Sequence, residues 1–360
     1  MGFIIISADF RVLDEQYIRP IFISKEIDVA FAKKTAIYSI RIILLVATLA
    51  GLVVASEYAA RYIFRDITTT GDNGSYFAKK WRLEQFGRSC AECNSLGYRE
   101  REFEKAKPEN TYRIAVIGDS LTYGQGIPDE ERFSNRLESE LTGSEMKYQV
   151  LNFGAAGADF VHHINTSKRV LELDPDFILL QWYVNDFEGP NPQGRPSARN
   201  LAPTMKLHLR LHQSSALYYV LNAGWHATQR FMGTVGSYET YMNQHFLDPN
   251  SEGSKSALAK LKTVFRLAND RNVPIGMVLF PRLRPYLADD YPFDYLHERI
   301  ISLCKQNDIP YVDLREDFKS YGSDIRRLHV NQYDAHPNGL ANEIAAKRIM
   351  EVFGPIWRGH

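Results

Sequence analysis

Four short stretches carry the residue types that acyl transfer needs. "GDSLTYG" (118–124) offers Ser120 beside Asp119 directly after the apolar run "IAVI", and "NFGAAGAD" (152–159) offers glycine amides. "YVNDF" (183–187) offers Asn185, and "YDAHPNG" (333–339) offers His336 with Asp334 two residues before it. A hydroxyl, an imidazole with an acid neighbour, and uncharged hydrogen-bond donors are the parts of nucleophilic acyl transfer. Each part alone has a plainer reading. Asp119 suits a cap of the turn that follows it, Asn185 an Asx turn, and His336 before proline the entrance to the last helix. The chemistry stands only if the fold brings the four stretches to one place.

The surrounding pattern predicts that it does. Apolar strands are expected at 112–118, 148–154, 176–184, 273–281 and 309–314. Amphipathic helices alternate with them. One, in "DEERFSNRLESELTG", sets Phe133, Leu137 and Leu141 on one face; the last lies at about 338–353. Strands without polar alternation, separated by helices, imply a parallel sheet covered on both faces. The expected fold class is α/β: a flavodoxin-like, doubly wound, five-stranded parallel sheet of order 2-1-3-4-5. In such a sheet the loops after the strands open on one side, where ligands bind, and the four stretches are all such loops. Residues 189–253 interrupt the alternation and are expected to form a helical cap insertion, because a structureless loop of that length is foreign to a compact domain.

These blocks resemble the SGNH/GDSL hydrolase family over about 112–355. The first block stands as Gly118-Asp119-Ser120-Leu121 with Gly124 beyond it, and the second is matched by Asn152 and Gly157. The third is matched by Asn185-Asp186, and the fifth by Asp334, His336, Pro337 and Asn338. The resemblance implies the SGNH hydrolase fold, with Ser120 as nucleophile, His336 as general base and then acid, and Asp334 fixing the imidazole. It implies an oxyanion hole made of the backbone N–H groups of Ser120 and Gly157 and the side-chain amide of Asn185. No metal and no cofactor is implied. The family pattern is broken at two places: Tyr333 stands where the acid three before the histidine is usual, and Tyr183 stands where a glycine is usual. His162 and His163 show no acid partner in the sequence and read as packing or surface residues.

The N-terminal part is different in kind. From Ile42 to Ala55 the chain carries no charge; Lys25, Lys33, Lys34 and Arg41 precede this run, and Arg61 and Arg65 follow it. The expected organisation is a cytoplasmic tail (1–41), a transmembrane anchor (42–60), a juxtamembrane segment with "CAEC" (61–108), and a catalytic domain (109–358). The charge bias places the N-terminus in the cytoplasm and the domain in the periplasm or outside the cell. There Cys90 and Cys93 would be a local bridge or two free thiols. The balance of 43 basic and 43 acidic residues offers no basic face for nucleic acid.

Three functions fit these observations. One is a membrane-anchored serine esterase acting on an O-acylated small molecule or saccharide, O-acetyl groups being the expected cargo. A second is an O-acyltransferase for surface polysaccharide. The third is a catalytically silent binding or scaffold domain.

Overall fold

The computed structural model describes residues 15–63, 93–142, 146–188, 203–232, 237–283, 290–330 and 334–359. Cys90, Tyr333, residues 1–14 of the expected tail, residues 64–92 of the expected juxtamembrane segment and residues 189–202 of the insertion lie outside them. The chain divides into two compact units, Met1–Ala59 and Ala60–His360.

The first unit is occupied by helix α1 (Glu15–Ile63), which continues past the second unit's first residue. Its stretch Phe31–Ile63 is long and apolar enough to cross a membrane, and none of its most apolar window is buried within the protein. The helix therefore begins well before the charge-free run and includes residues assigned from sequence to the tail.

In the second unit five strands form one parallel sheet: β1 (Thr111–Gly118), β2 (Lys147–Gly154), β3 (Phe177–Trp182), β4 (Ile275–Leu279) and β5 (Tyr311–Asp313). Their order is β2-β1-β3-β4-β5, the doubly wound arrangement. Every residue of β1, β3 and β4 is buried, as a sheet covered on both faces requires. The register pairs Gly118 at the end of β1 with Gly154 at the end of β2. The loops that carry Ser120 and Gly157 therefore leave the sheet side by side.

The helices are α2 (Ser120–Tyr123), α3 (Phe133–Leu141), α4 (Phe160–Val170), α5 (Pro203–Ser214), α6 (Ala216–Phe231), α7 (Tyr238–Phe246), α8 (Glu252–Asn269), α9 (Asp294–Gln306), α10 (Arg315–Lys319) and α11 (Gly339–Arg358). Helix α3 buries Phe133, Leu137 and Leu141, the face its spacing predicts. Helices α5, α6 and α7 fill the described part of the insertion.

Residues 93–110 form no regular element, yet they are built into this unit. Tyr98 joins the core and meets Phe153 of β2 edge-on at 5.0 Å between ring centroids. Arg99 and Glu100 are buried as well. The compact body thus begins earlier than residue 109, the boundary that strand–helix alternation suggests. Cys93 is disulfide-bonded, with its partner outside the described residues, and Cys304 is free and buried.

Candidate active site

The turn after β1 is fixed before any chemistry is considered. Asp119 caps the one-turn helix α2: its carboxylate accepts from the Leu121 N–H at 2.9 Å. The Asp119 N–H donates to Gln181 Oε1 at 3.0 Å, and the Thr122 hydroxyl donates to the same oxygen at 2.9 Å. Gln181 lies on β3, so the neighbouring strand holds the turn. A Cβ on Gly118 would come within 2.3 Å of that Gln181 oxygen, which only glycine permits. Helix α2 closes at Gly124 with φ 77°, the left-handed C-cap that glycine adopts without strain. Ser120, at the first position of α2, is buried.

Residues from outside the turn complete its support. Asn152 of β2 donates to the Thr122 carbonyl at 2.6 Å and to the Ser134 hydroxyl at 2.8 Å. The buried Arg99 guanidinium donates to the carbonyls of Tyr123 (3.3 Å), Gly124 (2.9 Å) and Ile127 (3.1 Å) and pairs with Asp129 at 2.8 Å. Sequence reasoning missed Arg99, because it sits in an irregular stretch with no periodicity to mark it.

His336 approaches from the far end of the chain. The backbone between β5 and α11 doubles back on itself: Val330 N–H donates to the His336 carbonyl at 2.9 Å, and Asn338 N–H to the Leu328 carbonyl at 2.9 Å. Asn338 then caps α11 by accepting from Ala341 N–H at 3.1 Å, and its amide donates to the carbonyls of Arg327 and His329. Held this way, His336 Nε2 lies 3.0 Å from Ser120 Oγ, and Nδ1 lies 2.5 Å from Asp334 Oδ1. The same Asp334 oxygen accepts from the His336 backbone N–H at 3.0 Å. That Asx turn lets an acid two residues before the histidine reach the ring. Burial alone would raise the Asp334 carboxyl; the His336 ring, its backbone N–H and the Gln125 side chain prevail and hold it below its usual range.

The two other expected donors sit on neighbouring loops at this edge. Gly157 follows β2 with φ 71°, inside a turn closed by Ala158 N–H donating to the Ala155 carbonyl at 2.9 Å. A positive φ at the third residue of such a turn is a glycine position. Asn185 lies in the 3₁₀ turn Val184–Phe187 after β3. Its Oδ1 is buried without a hydrogen-bond partner among the described residues. Ser120, His336 and Asp334 are thus joined directly, while Gly157 and Asn185 are brought to the same sheet edge.

Residues 116–344, well over half the chain, match the model of the GDSL-like lipase/acylhydrolase family. The chain belongs to this GDSL-like family. It is accordingly an ester-bond hydrolase by class. Solved structures similar to it include a lipolytic G-D-S-L family member from Veillonella parvula, 14% identical, with 68% of this chain and 98% of that one covered and a TM-score of 0.42. The acetyl xylan esterase AlAXEase is 16% identical, with coverages of 66% and 98% and a TM-score of 0.41. TesA is 12% identical, with coverages of 68% and 99% and a TM-score of 0.42. No curated protein matches.

One expectation for this GDSL-like chain is corrected. Both histidines of α4 have acid partners: His162 Nδ1 lies 2.8 Å from Asp159, and His163 Nε2 lies 2.9 Å from Asp186. The second pair spans 23 positions and joins two loops, so local spacing could not show it.

Proposed function

We propose that this GDSL-like chain is a serine esterase in which Ser120 attacks the acyl carbon, His336 takes the hydroxyl proton and then delivers it to the departing alcohol, and Asp334 fixes the ring. The observation that carries this reading is the unbroken chain from Ser120 Oγ to His336 Nε2 and from His336 Nδ1 to Asp334. The imidazole is hydrogen-bonded on one nitrogen to an acceptor carboxylate, which leaves the other to accept the serine proton. As the carbonyl becomes tetrahedral its oxygen gains negative charge. The N–H groups of Ser120 and Gly157 and the Asn185 amide are the donors that would meet it. Collapse expels the alcohol with the proton from His336, and a water activated by the same ring releases the acid.

For the substrate the reading is an O-acetyl ester on a saccharide. Two half-buried tyrosines support it, because aromatic faces suit the C–H faces of sugar rings. Tyr183 adjoins the Asn185 turn, and Tyr219 of α6 has its phenol raised by burial and by the Asp334 carboxylate, so the insertion contributes to the site's surroundings. For the location the reading is an N-terminus in the cytoplasm and a catalytic unit outside it. The apolar span Phe31–Ile63, the basic residues before its charge-free part and the bonded Cys93 support that, disulfides being features of oxidising compartments.

The test is release of p-nitrophenol from p-nitrophenyl acetate and longer esters, with and without an oligosaccharide acceptor, by the wild type and Ser120→Ala. Acetate-selective, Ser120-dependent release is expected. Acyl product on the added sugar would move the reading to transfer, and silence of the wild type would overturn it.

A further inference from the structure

Beneath Ser120 lies a group of titratable side chains that the proposed chemistry does not use. Asp119 comes from the end of β1, His163 from α4, and Asp186 from the turn after β3; all three are buried. His163 Nε2 bonds Asp186 Oδ1 at 2.9 Å, with both side chains almost wholly out of solvent. Asp186 Oδ2 accepts from the Tyr183 N–H at 3.1 Å, closing the turn that carries Asn185. At the other end, His163 N–H donates to the Asp159 carbonyl at 2.8 Å, and the Asp159 carboxylate caps α4 by accepting from Val161 and His162 N–H groups. Gly157 lies two residues before that cap.

We propose that His163 is a positioning residue of the oxyanion hole: its bond to Asp186 locks the helix that follows Gly157 to the turn that carries Asn185. The inference rests on the reading of Ser120, Gly157 and Asn185 given above.

Packing alone brings these two elements near each other. Phe160 of α4 meets Phe187 of the turn at 6.2 Å between centroids. Apolar contact is non-directional and leaves rotation of the turn free, whereas a hydrogen bond fixes direction and distance. The two donors it would align come from different loops, and a misplacement of about 1 Å in such a constellation costs about 100-fold in rate.

The electrostatics keep a proton between the two side chains. Burial works against a proton on His163, but Asp186, Asp119 and Asp159 together outweigh it and raise its pKa. Asp119 has an oxygen, Oδ2, that is buried with no hydrogen-bond partner among the described residues. Its other oxygen, Oδ1, caps α2 by accepting from the Leu121 N–H. The His336 charge also acts on Asp119 and lowers its carboxyl. Burial in turn raises the Asp186 carboxyl, so the tie between the two loops is the buried hydrogen bond itself, whichever partner holds the proton.

The test uses the full chain in detergent micelles with p-nitrophenyl acetate, measuring kcat, KM and the thermal midpoint for the wild type, Ser120→Ala, His163→Phe, His163→Gln and Asp186→Asn. Ser120-dependent turnover by the wild type tests the parent reading; without it, that reading and this inference both fall. Given that turnover, His163→Phe is expected to lower kcat by about 10- to 100-fold with KM within about threefold. His163→Gln keeps an amide donor and should recover at least half of that loss on a logarithmic scale. A kcat of folded His163→Phe within about twofold of wild type overturns the inference and leaves the parent reading intact. So does an equal loss in the glutamine variant. If His163→Phe does not fold, Asp186→Asn decides: a kcat drop of about fivefold or more at unchanged KM supports the inference, and a smaller one overturns it.

Discussion

His336 Nε2 lies 3.0 Å from Ser120 Oγ, although the two residues are 216 positions apart in the chain. The distance is set by two independent pieces of backbone. Gln181 and Arg99 hold the serine turn, and the paired stretches 328–330 and 336–338 hold the histidine. A hydroxyl and an imidazole fixed separately at bonding distance are preorganised, so the proposed reaction would need little motion to begin. Ser120→Ala is expected to lower kcat on p-nitrophenyl acetate by about 10⁴-fold or more. Its thermal midpoint should stay near that of the wild type, since one hydroxyl is lost from a turn whose backbone bonds remain. Steady-state kinetics beside a melting curve checks both.

Asp334 gives a prediction with a definite sign. Its carboxyl is held below the usual range in the folded state, so the folded protein binds fewer protons there than the unfolded chain does. The stability it contributes is present above the ordinary carboxyl pKa of about 4 and is lost as pH falls through the lowered folded value. Asp334→Asn should therefore flatten the acid limb of a stability–pH curve. It should also lower kcat by about 10⁴-fold, because an amide cannot hold the imidazole in the required tautomer. Urea melts from pH 7 down to pH 3, paired with kcat at pH 7, would show both effects or neither.

The Asn185 amide is expected to act only when charge develops on the carbonyl oxygen. Asn185→Ala should cost about 10²- to 10³-fold in kcat and little in KM. Gly157→Ala tests the partner loop differently: an L side chain at φ 71° costs about 1–2 kcal/mol, so both stability and rate should fall. A KM rise with unchanged kcat for Asn185→Ala would remove it from the oxyanion hole.

What the sequence made legible follows from which interactions are local. The five strands announce themselves as largely apolar stretches between amphipathic helices, whereas the order β2-β1-β3-β4-β5 is reached only by analogy with doubly wound sheets, since right-handed crossovers alone permit other orders. Ser120, His336 and Asp334 could be named because each follows a strand and carries its chemistry in its type. Arg99 could not. Its guanidinium serves carbonyls 24 to 28 positions away, and nothing in the irregular stretch around it records that reach. His163 was hidden for the same reason: its acid, Asp186, comes from the loop after the next strand. The short histidine-to-acid spacing was legible as a departure from the family, but the Asx turn that accommodates it is a backbone event that residue types alone do not display.

The buried Arg99 clamp predicts where the folded unit begins. Arg99→Met keeps the aliphatic stem and removes every donor, leaving the carbonyls of Tyr123, Gly124 and Ile127 without this partner. Leaving a buried carbonyl unsatisfied costs about 1–3 kcal/mol. A thermal midpoint lowered by many degrees is expected, with kcat reduced even well below the melt, because the clamp bears on the turn that holds Ser120. A midpoint within a degree or two of wild type would mean that residues 93–108 are dispensable to the catalytic unit.

Asp119 should be a stability cost carried for position. Burial first, and the neighbouring Asp186 second, push its carboxyl up to about 6. The folded state therefore holds a proton there that the unfolded chain has already released between about pH 4 and pH 6, and stability falls as pH rises through that window. Asn caps a helix as well as Asp does and carries no charge. Asp119→Asn is thus expected to leave α2 capped and to raise stability at pH 8 by about 1–3 kcal/mol, with the gain vanishing near pH 4. Urea unfolding of both proteins at the two pH values measures the difference. A variant less stable than wild type at pH 8 would show that the Asp119 charge is compensated by its surroundings, with the electrostatic balance beneath Ser120 the reverse of the one described.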